Sequence, residues 1–263
     1  MFNEFVDYLI DERGLSDTEI ALVLFLIEED YGELYDALSD HGYVDGGDSE
    51  ENREAIEDLA DYYDPESIGS GNYRVDGKYY YIFDDEDEAE EAAIDVALTV
   101  LPDDFYYNGW MPSEGIDVDW FKDKMYGSYE EYAEYELLRE SSDQFENGLV
   151  AECYDLGLID DTDFEEDEDG DPDYEQCNVP DYQLAEMYAD HMCDQYADPT
   201  EWYKDNFGDA EFREVVEHEN LIDWREAARF EVNEDGVEFW LGRADHYQHD
   251  YNYDGINYMI FKE

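Results

Sequence analysis

Apolar positions recur along this chain with two different periods, and the change of period organises it. Ile20 to Ile27 (IALVLFLI) is the longest apolar run, long enough for a fully buried helix. Ser16 and Glu19 precede it as a capping-box pair, each side chain serving the other's backbone N–H. A second helix is expected from Glu28 to Leu38, with Gly42 as its stop. A third is expected from Ser49, with Ile56, Leu59, Ala60 and Tyr63 on one face. Pro65 and the Gly69-Ser70-Gly71 segment then mark a boundary.

Beyond that boundary the period becomes two. Tyr73 to Val75, an Asp76-Gly77 turn and Tyr79 to Phe83 read as a hairpin, because Asp-Gly suits a type I′ turn. Asp84 to Leu101 reads as a helix, acidic in its first turns, where carboxylates favour the dipole, and apolar later; Pro102 is expected to end it. Residues 103–127 are aromatic and irregular, and Ser128 with Glu131 is expected to cap a Tyr-rich helix. Asp160 to Asp173 carries no apolar residue beyond Phe164 and is expected to loop or link. Pro180 precedes a helix with Leu184, Ala185, Tyr188 and Met192 on one stripe, and short helices are expected near Trp202 and from Asp209 to His218. Strands are expected around Val237 to Leu241 and Ile256 to Phe261.

The fold class this predicts is α+β, mostly helical towards the N-terminus with small hairpins or sheets. Its expected divisions are a helical domain over 1–66, a hairpin-plus-helix domain over 67–160, an acidic linker over 161–179 and a C-terminal α+β domain over 180–263. One internal echo is present: Gly77-Lys78-Tyr79-Tyr80-Tyr81-Ile82-Phe83 resembles Gly255-Ile256-Asn257-Tyr258-Met259-Ile260-Phe261, as two strands of common β-formers also would by chance.

Composition changes this ordinary picture. Asp and Glu number 79 against 13 Lys and Arg, a formal net charge of −66. Self-repulsion on that scale opposes compaction. Disordered acidic chains lack aromatics, but here 17% of residues are aromatic and 43% hydrophobic, so a core can form. Tyr, with 26 copies, suits such a surface, since its ring packs while its hydroxyl stays wet. B-DNA carries one negative charge per about 1.7 Å, so this inventory matches roughly 110 Å of duplex. Adaptation to high salt is an alternative source of an acidic surface.

Other chemistry is sparse. Asp250-x-Asn252-x-Asp254-Gly255 matches half of an EF-hand loop, but its twelfth position is Phe261. Glu165-x-Asp167-x-Asp169-Gly170 reaches Gln176 there, so polar turns are the plainer reading. His246 with His249, and His191 with Cys193, complete no four-ligand zinc spacing. No cofactor or metal is expected. No GxSxG, P-loop or strand-following GxGxxG is present, and this field repels polyanions, so an enzyme is not expected. Cys153, Cys177 and Cys193 form no CxxC pair, the first residues carry no basic stretch and the longest apolar run is far short of a bilayer span. A cytoplasmic protein without membrane contact is the expectation.

The carboxylates recur in runs, Asp84 to Glu91, Glu130 to Glu136, Asp160 to Asp173 and Glu211 to Glu219. Such a surface would compete for clefts in which Lys and Arg await phosphates, with counterion release favouring the complex. The candidate partner-binding residues are Asp84, Asp85, Glu86, Asp87, Glu88, Glu90 and Glu91 in the first run, with Glu130, Glu131 and Glu134 in the second. Asp160, Asp161, Asp163, Glu165, Glu166, Asp167, Glu168, Asp169 and Asp171 complete them.

Residues 217–243 add a family resemblance. Ile222-Asp223-Trp224 leads through a short helix to Arg229, then Gly236 and the closing strands, and this resembles a segment near the C-terminus of ArdA-type antirestriction proteins. That family usually places an acidic residue directly after the Arg, where Phe230 stands here, and its members are shorter. The resemblance implies an elongated protein of several small domains that sits in the DNA groove of type I restriction–modification enzymes, often as a dimer. The function expected is a DNA-mimic inhibitor, from a phage or mobile element, of a DNA-binding defence complex in the bacterial cytoplasm. Restriction–modification, BREX-type or CRISPR-type complexes are the partners expected, with no nucleic acid bound. An acidic adaptor or chaperone for a basic protein, and a halophilic protein of ordinary function, are the alternatives.

Overall fold

A computed structural model describes residues 1–45, 49–69, 71–140, 145, 147–167 and 171–263. The fold is α+β, with twelve α-helices and seven strands among the described residues. It divides into two compact units, residues 1–114 with 224–263, and 115–223. The sequence boundaries at 66/67, 160/161 and 179/180 do not coincide with this division, because the last strands of the chain pair with the hairpin near residue 80.

The first unit is a five-stranded antiparallel sheet with helices on both faces. Its strands are β1 (Glu66–Gly69), β2 (Asn72–Val75), β3 (Lys78–Phe83), β6 (His249–Tyr253) and β7 (Ile256–Lys262), ordered β1-β2-β3-β7-β6. Asp76 at φ 47° and Gly77 at φ 75° form the expected tight turn, and Asp254 at φ 50° with Gly255 at φ 84° form its counterpart. The two echoing strands are thus neighbours, β3 pairing with β7 through Tyr81↔Phe261 and Ile82↔Ile260.

Alternation assigns the two faces of this sheet. Tyr80, Ile82, Tyr258 and Ile260 point into a core made by α1 (Phe2–Asp11), α2 (Asp17–Tyr31), α3 (Leu34–Asp40) and α4 (Ser49–Tyr62). Tyr81, Phe83, Met259 and Phe261 point into a second core made by α5 (Glu86–Asp103), α11 (Trp224–Asp235) and α12 (Val237–Leu241). Both parities are buried, so the central strands read as continuous apolar runs rather than alternating ones.

Several boundaries differ from expectation. The capping box at Ser16 and Glu19 is formed, but α2 stops at Gly32, φ 81°, and α3 starts separately. Pro102 sits inside the last turn of α5, which runs to Asp103 and passes into a π-helical turn over 104–108. Val237–Leu241, expected as a strand, is a short helix bracketed by Gly236 and Gly242, burying the consecutive Trp240 and Leu241. The preceding helix, α11, runs over Trp224–Asp235, longer than the short helix expected there.

The second unit is mainly helical, with α6 (Val118–Tyr135), α7 (Gly148–Asp155), α8 (Asp181–Cys193), α9 (Pro199–Phe207) and α10 (Asp209–Glu219). Ser128 and Glu131 do not start a helix. They lie within α6, which Asp117 caps by accepting from Trp120 N–H at 3.1 Å, and which buries Phe121, Met125 and Ala133 at helical spacing. The tract expected as a loop contains a 3-10 turn over 161–163 and a hairpin of β4 (Phe164–Glu166) and β5 (Pro172–Cys177). Phe164 anchors it in a core with Leu149, Val150, Leu184 and Tyr188. The ends of the unit are held together: Asp223 N–H donates to Gly115 C=O at 2.7 Å, and Ile116 bridges Ile222.

Candidate acidic interface

The candidate carboxylates fall in both units. Asp84 to Glu91 lead α5 in the first; Glu130 to Glu134 and Asp160 to Asp171 belong to the second. Glu168 and Asp169 lie outside the described residues, as do Gly170 of the EF-hand-like stretch and Ser70 of the expected boundary.

At the start of α5 the sequence supplies more acid than capping needs. Asp85 is the N-cap, its side chain accepting from Asp87 N–H at 2.9 Å and Glu88 N–H at 3.1 Å. Asp84, Glu86, Asp87 and Glu88 are exposed, and their side chains have no hydrogen bond or ion pair among the described residues. The apolar stripe Ala89, Ala93, Ile94 and Ala97 holds the helix on the sheet and so presents this turn outward. Glu90 is half-buried. Glu91 is engaged internally, bound by Arg225 of α11 with Arg229 at 4.0 Å.

The third run also divides between structural and free groups. Asp160 and Asp163 form a capping box around the 3-10 turn, and the hydrogen bonds from Thr162 hold the Asp160 carboxyl below its ordinary range. Asp161 accepts from two phenols, Tyr154 at 2.8 Å and Tyr174 at 2.9 Å, and that bond pushes the Tyr154 hydroxyl up. Asp167 accepts from Asp171 N–H at 3.0 Å across the hairpin. Glu165, Glu166, and Asp171 are exposed and their carboxylates make no such bond. In the second run Glu131 and Glu134 are exposed on α6, while Glu130 is half-buried.

The few cations are mostly held within the units. Arg13 binds Asp61 and Asp64, Arg74 binds Glu66, and Lys262 binds Glu29 at 2.6 Å. Lys124 lies over Trp120 and Lys204 over Phe212, at 5.1 and 4.7 Å from the ring centres. Tyrosines serve the carboxylates elsewhere too, Tyr63 donating to Asp30 at 2.6 Å and Tyr251 to Glu28 at 3.1 Å.

The remaining motifs have structural places. Asp250 and Asn252 lie on β6 and Asp254-Gly255 is its turn, so the EF-hand-like stretch is a hairpin. His249 pairs with Asp245 at 2.8 Å, and no group of three metal-capable side chains is present among the described residues. No described helix is long and apolar enough to cross a membrane. In the stretch that resembled the antirestriction family, Ile222 is buried in the second unit, whereas Trp224 opens α11 in the first and packs on Phe105 at 5.7 Å.

No protein-family model matches the chain, and no curated protein or solved structure matches it.

Proposed function

We propose that this protein is a DNA-mimic inhibitor that occupies the DNA-binding cleft of a bacterial defence complex and excludes DNA from it. The observation that carries this reading is the sorting of charge. Folding uses a minority of the candidate carboxylates as caps, phenol acceptors and ion-pair partners, and the surplus at Asp84, Glu86, Asp87, Glu88, Glu131, Glu134, Glu165 and Glu166 is exposed without a cation against it. A chain of net charge −66 that holds most of its cations internally offers partners a carboxylate surface. Basic clefts built for phosphates meet that surface with favourable long-range attraction and release of counterions from both sides.

The test is capture from bacterial lysate at about 0.1 M salt, where the Debye length is about 10 Å, repeated with excess duplex DNA. A DNA-binding defence enzyme that is retained, and that DNA displaces, supports the reading. A retained partner indifferent to DNA would support an acidic adaptor instead.

A further inference from the structure

A cavity of about 280 Å³ opens in the first unit among the C-terminal turns of α2 and α4 and the β2–β3 turn. Four tyrosines wall it. Tyr62 and Tyr79 are 49% and 40% exposed, while Tyr63 and Tyr80 are buried. The Tyr63 hydroxyl is committed to Asp30. Tyr80 is only 5% exposed, and its hydroxyl has no hydrogen-bond partner among the described residues. Burial, then the charges of Glu29, Asp30 and Asp76, push that hydroxyl up to about 12, so three carboxylates of the wall crowd it. Glu29 already holds one ammonium, that of Lys262. Asp30 and Asp76 have no ion pair among the described residues.

We propose that this cavity receives the guanidinium of an arginine side chain from the partner's basic surface, an occupant that rests on the reading of a DNA-binding partner. Sign excludes the other small ligands, since carboxylates repel phosphates and acids while aromatic faces attract cations. Size excludes larger ones, the volume falling at or below the ~300–1,000 Å³ of sites for whole small molecules. Shape favours arginine over lysine. A planar fork of N–H donors can stack on Tyr62 or Tyr79, donate to Asp30 and Asp76 and give one hydrogen bond to the Tyr80 oxygen. Lys78 also lines the cavity without an ion pair among the described residues, so it opposes the guest.

The experiment titrates the full chain, with labelled tyrosine rings followed by NMR, using N-acetylarginine methylamide as probe. The lysine analogue and inorganic phosphate serve as comparisons. Saturable shifts confined to the cavity tyrosines, weaker with the lysine analogue and absent with phosphate, are expected. Asp76→Asn, which keeps a residue tolerant of positive φ, and Tyr80→Phe should each weaken binding at least fivefold. Lys78→Gln should tighten it, and Glu57→Gln, which removes one exposed charge from α4, should leave it unchanged. Shifts that do not saturate, or an equal loss with Glu57→Gln, would overturn the proposal. Saturable binding by a chain that captures no DNA-displaceable partner would overturn the function and leave the cavity standing. A DNA-displaceable partner bound equally by Asp76→Asn and Tyr80→Phe, without probe binding, would overturn the cavity alone.

Discussion

Ile82 and Ile260 face each other across the β3–β7 ladder, and each occupies the other's position in the two Asp-Gly hairpins. Ile82 follows Gly77 by the same interval as Ile260 follows Gly255, so a local two-fold relation passes through this pair. Both are buried against the helices of the N-terminal core. Ile82→Ala and Ile260→Ala should each cost about 2–5 kcal/mol by transfer and cavity terms. Because they touch one space, the double variant should depart from additivity by about 0.5–3 kcal/mol in urea melts. Strict additivity would contradict a shared packing site.

The acids at the start of α5 should separate by role. Asp85→Ala removes the cap on Asp87 N–H and Glu88 N–H and should cost about 1 kcal/mol, while Asp85→Asn keeps the acceptor and should cost far less. Amides at Asp84, Glu86, Asp87 and Glu88 lose a favourable dipole interaction but relieve repulsion, so each should change stability by only about 0.5 kcal/mol. The same four changes together should weaken partner binding. Thermal melts and a binding assay on one set of variants check both halves.

Glu231 should give stability an acid-side dependence. Burial first, then repulsion from Asp235 and Glu234, raises its folded pKa above the ordinary 4.5. The folded state therefore holds this proton more tightly than the unfolded one. Its contribution is fully present below pH 4.5 and is lost as pH rises through the folded value, leaving a penalty at neutrality. Glu231→Gln should raise the thermal midpoint at pH 7 and change it little at pH 4. Asp245 has the opposite sign: burial pushes its pKa up, but the hydrogen bond and charge of His249, the Tyr247 N–H and the Lys262 charge together hold it below 3.8, so its contribution is present above 3.8 and is lost as pH falls through the folded value.

Residues 115–223 should fold alone. Their ends meet at Gly115 and Asp223, and their cores close on themselves around Phe121 with Phe212, whose ring centres lie 5.2 Å apart, and around Phe164 with Leu184. A fragment of these residues should unfold in one cooperative transition with native-like far-UV dichroism. A fragment without cooperative unfolding would contradict the division.

Local chemistry made much of this fold legible in the sequence. Ser16 with Glu19, Asp76-Gly77 and the stripe Leu184, Ala185, Tyr188 each specify an element through neighbours close in sequence, and each is found. Long-range context decided the rest. Gly127 lies inside α6 because Phe121, Met125 and Ala133 bury one continuous face, which overrides the local Ser128 signal. The strand-like Val237 to Leu241 became helix because Trp240 and Leu241 both reach the same core. For the surface, charge runs marked where carboxylates lie but not which are occupied. Glu91 is taken by an arginine 134 residues away, and Asp161 by Tyr154 and Tyr174, pairings that no spacing rule reveals.

The central claim is that this surface stands in for DNA, and competition measures that directly. With the captured partner purified, binding of the chain and of a duplex would be measured alone and together over 0.05–0.3 M salt. Mutual exclusion is predicted, with affinity falling steeply and linearly in log salt for both ligands, as charge neutralisation and counterion release require. Simultaneous binding of chain and duplex, or affinity for the chain that ignores salt, would contradict the account.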